Sequence, residues 1–153
     1  MIKVFFVDEH DSSKQNGIGT YRDTLVPRLG RRDGMEVTMI SLNSDRDNLK
    51  IEKHDYGYEY SLPRVAGGDW RGSGDVIWPL ISMYIPDGED NVFMFNHSPS
   101  ADFIRAMKGY YPKSKTVFII HDQGWCASLM GDARLLEKVL RHKAVKGVPE
   151  NVA

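Results

Sequence analysis

The chain has 153 residues, of which 41% are hydrophobic and 27% charged, the composition of one globular domain or a piece of a larger one rather than of a disordered segment. Twenty basic side chains against twenty-one acidic ones leave a net charge of -1, which removes the electrostatic basis for a general nucleic-acid binder. The single cysteine, Cys126, excludes an intrachain disulfide framework and a thiolate zinc site and fits a reducing cytoplasm, while the apolar runs are too short for a transmembrane segment and leave only peripheral membrane contact open.

No basic-then-apolar leader opens the sequence. Residues 2–7 form an apolar run rich in Val and Phe, the pattern of a strand buried on both faces. A helix is predicted over residues 17–29, with Ile18, Tyr21, Leu25 and Leu29 at spacings of three and four; Pro27 should kink or end it. Residues 36–42 read as the next strand. The stretch 45–74 is rich in glycine and resists a regular reading: Tyr56, Tyr58 and Tyr60 alternate as in one exposed strand, Lys50 to His54 read as a solvated charged stretch, and residues 66–74 (AGGDWRGSG) as a mobile loop. A helix with an internal proline follows over 75–84, then a strand over 91–95. Ser98 and Pro99 suit the cap and first turn of a helix that runs to Lys108, and Gly109 suits its exit. Residues 116–120 are a further doubly buried strand, and Asp132 caps a helix carrying Leu135, Leu136, Val139 and Leu140. This alternation predicts an α/β fold: a Rossmann-like three-layer sandwich around an open, mostly parallel sheet. Residues 141–153 bring no returning strand, so the whole chain reads as one such domain cut short.

Open parallel sheets bind ligands at the carboxyl ends of their strands. The first strand runs into Asp8, Glu9, His10 and Asp11; the 91–95 strand into Asn96, His97 and Ser98; the 116–120 strand into His121, Asp122 and Gln123. Three of the five histidines thus follow strand ends and converge on one rim if the strands are parallel. Before the first helix lies Asn16-Gly17-Ile18-Gly19-Thr20. Glycines let backbone N–H groups approach a phosphate, and a helix N-terminus adds partial positive charge. The loop is neither a P-loop, which needs a following Lys, nor the dinucleotide fingerprint, which needs a third Gly; a plain loop-to-helix hinge is the other reading. His54 and His142 read as structural or solvated, Cys126 as an inert thiol, and Trp70 and Trp125 as core or loop anchors rather than sugar platforms.

The segment QNGIGTYRDTLVPRLGRRDGMEVTMIS resembles the opening of glycosyltransferase family 4 enzymes, in which a Gly-Gly-x-Gly turn leads a leucine-spaced helix, a Gly and a strand. NVFMFNHSPSADFIRAMKGYYPKSKTVFIIHDQGW resembles their later strand–helix–strand ending in His-Asp. The resemblance spans most of residues 1–150 except the middle third. It implies the N-terminal, acceptor-side half of a GT-B enzyme that transfers a sugar, with retention and no bound metal or other cofactor, from a nucleotide-sugar donor to a hydroxyl-bearing acceptor. It places Gly17 and Gly19 beside the donor diphosphate and His121 near the transferred sugar as the catalytic position. His10, Asn16, Thr20, His97 and Asp122 then line the acceptor side. Asn16 stands where the family has the first Gly, and Asn also tolerates left-handed backbone angles. The family's donor half carries two glutamates eight positions apart; the seven glutamates here, 9, 36, 52, 59, 89, 137 and 150, contain no such pair. The chain alone is therefore expected to be inactive.

Other functions fit parts of the same pattern. His10, Asp11, His97, His121 and Asp122 are chemically suited to a divalent metal in a hydrolase. VFFVDEHD resembles the start of a phospho-accepting receiver, although no matching lone Asp follows a third strand. A non-catalytic sugar- or nucleotide-binding module would show the same rim.

Overall fold

The computed structural model describes residues 1–9 and 17–121 together with Arg134 and Glu137, the side chain of Ile18 excepted. The chain forms two compact units, Met1–Ile119 and Ile120–Ala153. In the second, Arg134 and Glu137 have helical backbone and exposed side chains; the rest of the helix predicted from Asp132, with Trp125, Cys126 and His142, lies outside the described residues.

The first unit is α/β. Its elements are β1 (Ile2–Glu9), α1 (Gly17–Gly30), β2 (Met35–Ser44), β3 (Lys50–His54), β4 (Gly57–Pro63), α2 (Gly74–Ser82), β5 (Asn91–Phe95), α3 (Ala101–Tyr110) and β6 (Lys115–Phe118). The six strands form one sheet in the order β3-β4-β2-β1-β5-β6. Every pairing is parallel except β3 with β4. The order reverses at β1: β2 lies on one side of it and β5 on the other, which makes the β1/β5 boundary a topological switch point.

The alternation of side chains along β1 explains the layers. Val4 and Phe6 point to one face, where Val26 of α1 packs with Val37 of β2. Phe5 and Val7 point to the other, where Ile77, Trp78 and Ile81 of α2 meet Phe103 and Met107 of α3. Trp78 is fully buried at the centre of that second layer. Its ring meets Phe93 edge-on at 5.6 Å and Tyr111 at 5.9 Å, and its Nε1–H donates to the Phe103 carbonyl at 3.0 Å. Helices on both faces make the sheet the middle of a Rossmann-like three-layer sandwich, and the doubly buried β1 and β5 are the apolar runs of the sequence.

Several local readings change, and Gly109, expected at the exit of α3, lies within it. Of the two outcomes expected at Pro27, a kink or an end, the helix does not end there: Pro27 lies inside α1, which runs to Gly30. The α3 cap is Ser100, not Ser98: the Ser100 Oγ accepts from the Phe103 N–H at 3.1 Å. Ser98 is held outside the helix because its carbonyl accepts from Arg71 Nε at 2.7 Å, while Ser100 Oγ also donates to the Arg71 carbonyl at 2.9 Å. The charged stretch 50–54 is the antiparallel edge strand β3, its exposed lysines typical of a protected sheet edge. Residues 66–74 are not one loop: two 3-10 turns, Ala66–Gly68 and Trp70–Gly72, lead into α2. β6 is a strand, yet Val117 and Phe118 are exposed because β6 is the last strand in the described sheet order.

Candidate functional site

β1 delivers Asp8 and Glu9 to the carboxyl end of the sheet, and β5 delivers Asn96 and His97 beside them. Asp8 is 1% exposed, an unusual place for a carboxylate unless it is paired. Its Oδ1 accepts from the Glu9 N–H at 2.9 Å and its Oδ2 from Arg22 Nη1 at 2.9 Å. His97 Nδ1 lies 2.8 Å from Oδ1, an ion pair when the imidazole is protonated. One buried carboxylate therefore orients an imidazole from β5 and a guanidinium from α1.

Arg22 also donates from Nε to Asp23 Oδ1 at 2.9 Å. Burial pulls the guanidinium pKa down, but the Asp23 hydrogen bond and the Asp8 charge outweigh it, and the net direction is up. The cation is thus fixed at the rim. The neighbouring Glu9 is held in a second way: its Oε2 accepts from Trp70 Nε1–H at 3.0 Å. Trp70 is buried against Phe103 and is covered on one face by the Arg71 guanidinium, 4.3 Å from the ring centre. It is a loop anchor that ties the 3-10 turns to the end of β1.

Of the predicted site residues, Gly17 opens α1, Gly19 is buried in its first turn, and Thr20 is exposed there. Arg22, in the next turn, reaches Asp8, so this end of α1 sits beside the carboxyl end of β1. His97 joins Asp8 as described. His121 is an exposed residue of the second unit. His10, Asn16 and Asp122 lie outside the described residues, as does Asp11. Arg22 and Trp70 are the members that the sequence reading left out of the site. The signal for Arg22 was present: a cation five residues into a helix that follows a strand ending in acids.

Among the described residues no group of three His, Cys, Asp or Glu side chains could hold a metal ion. Nor is any helix among them long and apolar enough to cross a membrane. Neither a protein-family model, nor a curated protein, nor a solved structure matches this chain.

Proposed function

We propose that this chain is the acceptor-binding, N-terminal half of a retaining glycosyltransferase of GT-B architecture, working in glycan or polysaccharide biosynthesis. The observation that carries the reading is the cluster at the β1/β5 switch point: a buried Asp8 holding His97 and Arg22 beside the glycine-led start of α1. Transfer from a nucleoside diphosphate sugar develops negative charge on the leaving diphosphate. Backbone N–H groups of Gly17 and Gly19 at a helix N-terminus are suited to that charge. His97, oriented through Nδ1, is suited to hydrogen-bond an acceptor hydroxyl, and His121 is assigned to the transferred sugar on the resemblance alone. The donor sugar is held mainly by a second half, so this chain binds acceptor without turning it over.

The metal-dependent alternative is weakened by one contact. Asp8, the buried carboxylate of the rim, already has Arg22 as its cation. A non-catalytic sugar- or nucleotide-binding module uses the same rim and is separated by activity once a donor half is supplied. Calorimetry of the whole chain with oligosaccharides, nucleoside diphosphates and divalent metal tests the proposal. Oligosaccharide binding that is lost in His97→Ala supports it. Stoichiometric metal binding, or no binding of any hydroxyl-rich ligand, overturns it.

A further inference from the structure

A concavity lies on the flank of the first unit, between α1 and the β3–β4 hairpin, with a volume of about 310 Å³. Its size is at the lower end of ligand cavities, which run from about 300 to 1,000 Å³. The lining has two characters. Val26 and Pro27 of α1 and Met39 of β2 give it an apolar floor. Arg22, Asp23 and Glu59 set charged groups of both signs around that floor. Tyr56 and His54 form an aromatic wall, their rings stacked at 5.2 Å between centres and 16° between planes.

The charges decide what fits. Arg22 is matched by Asp8 and Asp23. Glu59 accepts from Tyr56 Oη at 3.4 Å and from Ser61 Oγ at 3.2 Å, and His54 Nε2 stands 3.6 Å away. An anion entering the cavity meets Glu59 and Asp23; a cation meets Arg22. Yet hydrogen-bonding capacity remains, because an ionised carboxylate offers about four acceptor sites and a guanidinium five donors. Arg22 uses Nε and Nη1 in the contacts described, which leaves Nη2 without a partner among the described residues. Acceptors and donors around an apolar floor and a flat aromatic wall match a neutral ring with hydroxyls on its edge and C–H groups on its face. We propose that this flank cavity is a binding site for a single neutral pyranose, one that shares Arg22 with the rim at the β1/β5 switch point. Glu59 and Asp23 accept from ring hydroxyls, Arg22 donates to one, and the Tyr56–His54 wall packs on the apolar face. The site does not depend on the transferase reading. A chain with no transferase role would bind the same ligand there.

The test is an amide-resolved NMR titration of the whole chain with glucose, galactose, mannose and N-acetylglucosamine, with benzoate and inorganic phosphate as anionic controls. At least one pyranose should shift the amides of Asp23, Tyr56 and Glu59, and Glu59→Gln should weaken it roughly tenfold or more, the effect of losing a charged hydrogen-bond acceptor. If Glu59→Gln does not fold, Asp23→Asn on the exposed side of α1 serves instead and should weaken binding several-fold. The proposal is overturned if no pyranose binds at tens of millimolar, if only the anions bind, or if binding survives these substitutions. It is also overturned if the shifts fall only at Asn96 and His97, a result that would leave the rim reading intact.

Discussion

Replacing Asp8 by Ala tests whether the rim cluster is an electrostatic unit. The carboxylate is 1% exposed, and its partners among the described residues include the Glu9 N–H, Arg22 and His97. Its loss strands the Arg22 guanidinium, whose side chain is 13% exposed and which keeps Asp23 as its one counter-charge among the described residues. Breaking a buried pair by removing one partner costs about 3–5 kcal/mol. Arg22 retains some contact with water, so a loss near the lower end, about 3 kcal/mol, is expected. For a domain of this size each kcal/mol shifts Tm by about 2–4 °C, which predicts a fall of about 6–12 °C. Circular-dichroism melts and urea unfolding measure it. Adding Arg22→Met to Asp8→Ala should restore part of the loss, because the stranded charge goes with it. A fall below about 2 °C, or a double variant whose loss is the sum of the two single losses, would refute the coupling.

Three further outcomes follow from other contacts. Gly57 has φ +148° and lies against β2, where an added Cβ would fall 1.9 Å from the Val37 carbonyl oxygen; Gly57→Ala should cost about 3 kcal/mol and open β4 first in amide exchange, and wild-type exchange there would contradict this. Tyr111 is fully buried, burial pushes its phenol pKa up, and its Oη donates to the Ile85 carbonyl at 2.7 Å. Tyr111→Phe should therefore lower the urea midpoint by about 1–3 kcal/mol equivalent without changing the m-value. Desolvation pushes the Asp87 pKa up, but hydrogen bonds from Ser114 Oγ and the N–H groups of Lys113 and Gly88 outweigh it and hold the carboxyl below 3.8. A depressed carboxyl contributes stability that is complete above its unfolded value and is lost as pH falls through the folded one. Urea unfolding from about pH 5 to about pH 2 should thus show a shallower acid limb for Asp87→Asn than for the wild type, and parallel limbs would refute the role.

The parts of the fold legible in the sequence are those where burial on both faces erases polar alternation. β1 and β5 read as apolar runs because α1 covers one face of the sheet and α2 and α3 the other. β3 was hidden for the opposite reason: an edge strand carrying Lys50, Glu52 and Lys53 has the composition of a solvated loop. The cap of α3 was misplaced by two residues because the deciding contacts come from Arg71, distant in sequence. The rim was half legible. Acids and histidines after strand ends mark Asp8 and His97, since the switch point collects those ends. Arg22 and Trp70 reach the rim through tertiary packing, from a helix turn and from a turn that looked like a flexible linker. The flank cavity left no motif, since α1, β2 and the hairpin each supply one or more of its walls.

The most direct measurement of the central claim is an amide-resolved titration of the chain with oligosaccharide acceptors and nucleoside diphosphate sugars. The account predicts that acceptor perturbs Glu9, Asn96 and His97, that the diphosphate perturbs the Gly17–Gly19 turn, and that Asp8→Ala abolishes the acceptor response. Saturating ligand without change at these positions, or an undiminished response in Asp8→Ala, would contradict it.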